Sequence, residues 1–348
     1  MKFLYRAAFA TLTITLASAP AFAQTAAQQP AAQASQPPQL KNLAPAGTVN
    51  PAFPAVEQRF FTADAPAVDT VNSFLKQLWG YDPNRVWQVE AVQKTKVPGI
   101  SHVVVYVGER GSEKIQSTQF LVLPDQKHAI AGDTVINFGA TPFADDRAIL
   151  LARATGPAHG AASKDLLLVE FSDLQCPHCK EAQSKMDQLL ADFPSARIVY
   201  QNFPITELHP AAFLASAYSL CVAQQKPDAD NAAFFSYVQA VFDTQAALTA
   251  DNTVQTLNNA VIKAGLDSAK VAACADTQPI KDAVNADIKL ANDMVVESTP
   301  TLYVNGRPVP LGDIPYETLK TIVNYQAMLD GVKGSSAAPS LNAPPSLK

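Results

Sequence analysis

Apolar positions along the chain change their spacing from segment to segment, and each spacing predicts a different element. Val68, Val71, Phe74, Leu75 and Leu78 follow the i, i+3, i+4, i+7 rhythm of a helix with one buried face, and the stripe stops at Gly80. Three β-rich runs come next: Val86 to Val92, His102 to Val107 (HVVVYV) and Gln119 to Leu123 (QFLVL). Turn signals such as Pro98-Gly99 and Pro124-Asp125 separate them. One helix followed by an antiparallel sheet is therefore the economical reading of residues 66 to 138.

A connecting helix is expected around Ala144 to Ala154, followed by a Gly-rich break at residues 155 to 163. The pattern then changes at Leu166-Leu167-Leu168-Val169-Glu170-Phe171. A continuous apolar run suits a central strand covered on both faces, and Cys176 to Leu190 suits a helix packed beside it. Arg197 to Gln201 (RIVYQ) supplies a second strand. From Pro210 to Asn292 the chain is Ala-rich and helical in rhythm, with stripes Phe213, Ala217, Leu220, Cys221 and Phe235, Val238, Val241, Phe242. Thr301 to Val304 and Arg307 to Pro310 flank Asn305-Gly306 and read as a hairpin, with a final helix from Tyr316 to Met328. The order is β-α-β, a helical insertion, then β-β-α, an α/β arrangement.

The two ends have no such rhythm. Residues 24 to 55 are rich in Ala, Gln and Pro and almost uncharged, so they bury too little to offset the entropy of ordering and read as a tether. The tail from Gly331 has the same character. At the start, Lys2 and Arg6 precede an apolar run from Ala7 to Ala19, closed by Ala21-Phe22-Ala23, the pattern of a cleaved export signal over residues 1 to 23.

Composition narrows the picture further. The chain of 348 residues carries 26 Lys+Arg against 31 Asp+Glu, with 48% hydrophobic residues and 26 Pro, as a globular protein with Pro-rich extensions would. Loss of residues 1 to 23 would move the net charge from −5 to −7, a poor balance for binding nucleic acid. No later segment approaches the roughly 20 consecutive apolar residues that a membrane span needs. Export should therefore end in a soluble compartment or on the outside, and at about 150 residues per domain two domains are expected.

Four cysteines in an exported chain suggest two disulfides, with three pairings possible. Spacing favours Cys176 with Cys179, a C-x-x-C, and Cys221 with Cys274, far apart on helical stretches. The first pair stands in C-P-H-C between a predicted strand and a predicted helix. At a helix start, backbone N–H groups and the positive dipole end favour a thiolate on Cys176. A stabilised thiolate makes the reduced form cheap and the disulfide reactive. Cys176 would be the attacked sulfur and Cys179 the resolving thiol. His178 could add a charge or hydrogen bond to the thiolate, and Pro177 suits an early helical position. Zinc is an alternative use of C-x-x-C, but no second Cys or His pair stands at ligand spacing, so no metal is expected. An inert disulfide is the other alternative, in a loop tighter than structural disulfides usually occupy. His102, His128, His159 and His209 have no acid or cysteine cluster near them in sequence and read as surface or loop residues.

Phe171 to Lys180 resembles the active site of the DsbA family of periplasmic thiol-disulfide oxidoreductases, whose typical motif is C-P-H-C. The resemblance runs from about Asp165 to Met328, through Asn202-Phe203-Pro204, Leu208-His209-Pro210, Ala264-Gly265-Leu266-Asp267 and Ser298-Thr299-Pro300-Thr301. It implies a thioredoxin-like fold with an inserted helical subdomain. It also implies a cis bond at Pro300 facing the sulfurs, where an extended client would dock; an ordinary strand-edge proline is the alternative. Thr299 then stands where the strong oxidase carries Val and isomerase-type relatives carry Thr, so Pro177-His178 speaks for an oxidase while Thr299 permits isomerase-like behaviour. Glu170 stands where the family has a buried acid that moves protons to and from the resolving cysteine, with a strand-end salt bridge as the alternative. Asp173 reads as a turn residue or helix-side acid. Some relatives have a second disulfide in the insertion, as Cys221 and Cys274 would form, with a regulatory disulfide or two free thiols as alternatives.

Residues 85 to 138 also resemble, more weakly, the N-terminal dimerisation domain of the DsbC and DsbG isomerases, in Val97-Pro98-Gly99-Ile100, Phe120 to Asp125 and Ala129 to Asp133. That implies a homodimer with a client cleft, against a monomer whose first domain only positions clients. The expected organisation is a signal at 1–23, a tether at 24–55, a small α+β domain at 56–140 and a linker helix and loop at 141–163. A DsbA-like thioredoxin domain at 164–330, with its insertion at 205–295, and a tail at 331–348 complete it. The expected partners are unfolded or misfolded exported proteins and a membrane redox protein, DsbB-like if the pair is reoxidised and DsbD-like if it is kept reduced. No nucleic acid is expected, nor any cofactor beyond a redox-active Cys176–Cys179 disulfide. A holdase in which the cysteines are incidental is the rival reading from another class.

Overall fold

Every residue of the strand Leu166–Ser172 is buried, and the C-terminal half of the molecule is assembled around it. The computed structural model describes residues 47, 49–227 and 230–333, all in one compact unit. The expected signal and most of the expected tether and tail lie outside the described residues.

The first layers follow the predicted helix-then-sheet order. Helix α1 (Val68–Trp79) buries Val71, Phe74 and Leu75 against a five-stranded antiparallel sheet. Its strands pair in chain order: β1 (Arg85–Lys94), β2 (Ser101–Glu109), β3 (Ile115–Val122), β4 (His128–Ala131) and β5 (Thr134–Asn137). Phe74 anchors this core, with ring centroids 4.8 Å from Phe138 and 5.8 Å from Phe120. Strands β4 and β5 lie beyond the three predicted runs; each has only four residues, too few for alternation to show.

Helix α2 (Ala144–Arg153) connects to the second sheet, whose order is β10-β9-β7-β8-β6. Central β7 (Leu166–Ser172) runs parallel to β8 (Ala196–Asn202) and antiparallel to β9 (Thr301–Val304). The crossover between β7 and β8 is helix α3 (Pro177–Asp192). Strand β6 (Ala158–Gly160) pairs antiparallel with β8 and falls inside the segment expected to be a Gly-rich break. With three residues it carries no periodic signal, and what fixes it is the edge of β8. Strand β10 (Arg307–Pro310) closes the hairpin on β9, and Asn305 and Gly306, at φ 47° and 91°, both take the left-handed conformation that this two-residue turn requires. Helix α9 (Tyr316–Leu329) covers the sheet on the side of α3. The result is the expected thioredoxin-like α/β fold.

The insertion consists of α4 (Ala212–Gln225), α5 (Ala232–Asp243), α6 (Thr253–Lys263), α7 (Ser268–Ala275) and α8 (Gln278–Asp293). Cys221 and Cys274 are joined in a disulfide, with Cα atoms 6.0 Å apart, linking α4 to α7. The predicted stripe on α5 is corrected by one residue. Phe234 is fully buried, whereas Phe235 is half-buried and stacks on His159 at 4.0 Å.

The two sheet-bearing parts are joined through buried polar contacts. Arg307, on β10, donates to the carbonyls of Gln77 and Leu78 at the end of α1 and to Gln326, and lies 4.4 Å from the Phe143 ring. The Tyr325 hydroxyl donates to the Lys76 carbonyl at 2.7 Å. The last carbonyls of a helix lack intrahelical donors, and here those of Gln77 and Leu78 find them across the junction, while that of Lys76 also accepts the Gly80 N–H at 3.0 Å. Gly80 ends α1 at φ −67°, so the glycine is required by space: a Cβ there would collide with the Tyr325 hydroxyl.

Candidate active site

The turn between β7 and α3 is built around Asp173. Its fully buried carboxylate accepts the Gln175 N–H at 2.7 Å and the Ile205 N–H at 2.8 Å, and pairs with His209 Nδ1 at 2.9 Å. His209 is therefore no isolated loop histidine. It ties the loop after β8 to the loop bearing the cysteines, a pairing across 36 residues that sequence spacing does not reveal. Asp173 is a turn residue, as one of its readings had it.

Two glutamines from outside the motif complete the loop. Gln175 accepts the Ala211 N–H at 2.7 Å and donates to the Leu248 carbonyl at 3.1 Å. Gln245 donates to the carbonyls of Leu174, at 3.1 Å, and Cys176, at 3.0 Å. The helical insertion thus holds the segment in front of the cysteines. Neither residue had a signal in the sequence, since an exposed-looking glutamine at the end of a helix resembles any other.

Cys176 is the N-cap residue of α3 and Pro177 its first helical residue, a place where a missing N–H costs nothing. Both Cys176 and Cys179 are free thiols in this structure, so the expected pair stands in its reduced form. The two sulfurs differ sharply. The Cys176 thiol is lowered from its ordinary value near 9 to about 5, first by a hydrogen bond from the Cys179 thiol, against the opposing effect of burial. The Thr299 side chain and the backbone N–H groups of Cys179 and His178 lower it further. Cys179 is pushed well above the ordinary thiol value by burial and by its neighbour Cys176, although the Asp173 N–H donates to its sulfur at 3.4 Å.

His178 acts here through its backbone. Its imidazole Nδ1 lies 3.2 Å from Glu181 on the exposed face of the helix, a partner the sequence reading did not consider. The Thr299-Pro300 bond is cis, as the resemblance implied, and the Thr299 carbonyl lies 3.6 Å from Cys176 Sγ. That carbonyl accepts from the thiol form, while the Thr299 hydroxyl favours the thiolate.

Glu170 lies in the sheet beneath α3, 3% exposed. Burial raises its carboxyl to about 7, against the effects of Ser172 and of Gln183, whose amide donates to Glu170 at 3.3 Å. None of the ion pairs among the described residues includes Glu170, so the strand-end salt bridge is not what it forms. Among the described residues no group of three His, Cys, Asp or Glu side chains is placed to hold a metal ion. No helix among them is long and apolar enough to cross a membrane.

Comparison with known proteins places this half of the molecule. Residues 153–325 match a family described as Thioredoxin, which leaves the N-terminal helix and sheet outside the match. A periplasmic thioredoxin-like protein from Salmonella enterica serovar Typhimurium is 21% identical, over 53% of this chain and 96% of that one, with a TM-score of 0.43. BdbD from Bacillus subtilis, in its oxidised state, is 19% identical over 50% of this chain and 93% of its own, with a TM-score of 0.42. Among curated relatives, the Na(+)/H(+) antiporter NhaA 3 of Salinispora tropica is 26% identical over 148 residues. That segment is 42% of this chain and 21% of the antiporter, so the chain spans about a fifth of the length of this relative. Residues 153–325 of this protein are similar to the family described as Thioredoxin.

Proposed function

We propose that this protein is an exported, DsbA-like thiol-disulfide oxidoreductase that exchanges disulfides with client proteins through Cys176. The observation that carries the reading is the opposite bias on two thiols of one pair: Cys176 held down to about 5 and Cys179 pushed up. A thiol lowered in this way is mostly thiolate at pH 7. Such a sulfur is both a good leaving group and the one that attack on the pair reaches.

In the oxidising direction a client thiolate attacks Cys176 in the Cys176–Cys179 disulfide and Cys179 departs. A second client thiolate then attacks the client sulfur of the mixed disulfide, and Cys176 leaves as its thiolate. The client loses two electrons and the pair gains them, so no bound cofactor is required. Thr299 and Pro300 are the docking residues of this reading, since backbone groups beside the reactive sulfur suit an extended peptide.

Export is supported by the charged and apolar pattern of residues 1–23 and by the Cys221–Cys274 bridge, a bond that persists in oxidising compartments. The partners on this reading are unfolded or misfolded exported proteins and a membrane redox protein. Thr299 beside Cys176 favours a second reading, in which the pair rearranges disulfides.

The test is transfer. Oxidised protein mixed with a reduced two-cysteine peptide should yield oxidised peptide, and Cys176→Ser should abolish it. Absence of transfer by the unaltered protein refutes the reading. Recovery of a scrambled substrate, measured on the reduced protein, separates isomerase from oxidase.

A further inference from the structure

A row of polar side chains continues beneath the cysteines where the fold would otherwise be apolar. Along a strand, side chains on one face recur about every 6.6 Å, and along a helix residues four apart advance about 6 Å. These steps nearly match between β7 and α3, so Cys179 and Gln183 on the helix fall over Ser172 and Glu170 on the strand. The contacts agree: Gln183 donates to Glu170 at 3.3 Å, and the Asp173 N–H, next along the chain from Ser172, donates to the Cys179 sulfur at 3.4 Å. The Ser172 hydroxyl between them lowers both the Cys179 thiol and the Glu170 carboxyl. Tyr200, opposite Glu170 on β8, brings its hydroxyl to Ser172 as well.

Ser172 and Tyr200 are buried to within 1% of their surface, yet neither hydroxyl has a hydrogen-bond partner among the described residues. A buried hydroxyl without a firm partner destabilises a fold, and Ala and Phe would fill the same space without that cost. What the hydroxyls add is the ability to donate and accept at once, which a proton needs to cross between a thiol and a carboxyl that do not touch.

We infer that the Ser172 hydroxyl, steadied by Tyr200, relays the proton between Cys179 and Glu170. The inference rests on the reading of Cys176 and Cys179 as an exchanging pair. When Cys179 resolves a mixed disulfide, its proton passes to Ser172 Oγ as the Ser172 proton passes to the Glu170 carboxylate. The Cys179–Cys176 bond forms, the bond from Cys176 to the client breaks, and the client leaves as a thiolate. In the opposite direction Glu170 returns a proton through Ser172 to the departing Cys179. A carboxyl that titrates near neutrality suits either direction.

The experiment uses the full chain carrying thionitrobenzoate in a mixed disulfide on Cys176, and follows release of the coloured thiol against pH in a single turnover. Ser172→Ala should slow release at pH 7 by on the order of 100-fold. Ser172→Thr, which keeps a hydroxyl, should recover most of the rate, and Tyr200→Phe should cost less than Ser172→Ala. Adding Glu170→Gln to Ser172→Ala should change little more. Wild-type kinetics and pH profile in a cooperatively folded Ser172→Ala protein, or independent multiplication of the two effects, would overturn the relay.

A second readout needs no turnover. The Glu170 carboxyl, followed by carbon NMR, should titrate higher in Ser172→Ala than in the wild type, because the Ser172 hydroxyl, which lowers it, has been removed. An unchanged titration overturns the contact on which the relay depends. Failure of the wild-type protein itself to release the thiol would overturn the exchange reading, and the relay with it, whereas release by the wild type with no effect of Ser172→Ala overturns the relay alone.

Discussion

Cys176 Sγ and the carbonyl oxygen of Thr299 lie 3.6 Å apart although 123 residues separate them in the chain. The residue in front of the cis proline therefore touches the reactive sulfur, and its hydroxyl is one of the groups that hold the thiolate. Replacing Thr299 by Val keeps the shape and removes that hydroxyl. The Cys176 titration, followed by thiolate absorbance, should then rise from about 5 by on the order of one unit, the worth of one hydrogen bond.

Cys179→Ala should leave Cys176 able to attack and unable to finish. Mixed disulfides with client proteins should accumulate on the variant and appear as reducible adducts by mass. Cys176→Ala should form none, because Cys179 is fully buried.

The depressed Cys176 pKa makes the stability of the reduced protein depend on pH. A group whose folded pKa lies below its unfolded value stabilises above the unfolded value, and that stabilisation is lost as pH falls through the folded one. For Cys176 the window runs from about 9 down to about 5. Glu170, raised to about 7, works in the opposite sense, since its contribution is lost as pH rises through about 7. Glu170 is present in both redox forms, so the difference between reduced and oxidised protein isolates the cysteines. The Tm of the reduced form should gain on that of the oxidised form between pH 5 and pH 8, and parallel curves would contradict the assignment.

Arg307→Met should destabilise the protein by about 2 to 4 kcal/mol in urea unfolding, because it leaves the half-buried Gln77 and Leu78 carbonyls without donors. Removing the Cys221–Cys274 bridge should cost roughly 4 kcal/mol on the chain-entropy account and leave exchange at Cys176 intact.

The elements legible in the sequence are those long enough for a period to show. The apolar run at Leu166 to Phe171, the stripe from Val68 to Leu78 and the Asn305-Gly306 turn each carry a local cause, and the structure forms them where that cause acts. Strand β6 has three residues and its cause is its neighbour β8. On α5, apolar residues stand side by side at Phe234 and Phe235, so a stripe drawn through either looks sound, and packing against Tyr200 decides for Phe234. At the site, the cysteines, Pro177 and His178 were legible as a motif, whereas Pro300, Thr299 and Glu170 were visible only through family resemblance. Asp173 with His209, and Gln175 and Gln245, meet their partners across tens of residues, and the composition around them is ordinary.

The most direct test of the account is the equilibrium of the Cys176/Cys179 pair with a graded glutathione buffer, read as oxidised fraction by alkylation and mass. A thiolate stabilised to the extent seen at Cys176 predicts an oxidising pair, closer to the roughly −120 mV of DsbA than to the roughly −270 mV of thioredoxin. A potential at the thioredoxin end, or a pair that never exchanges with glutathione, would contradict it.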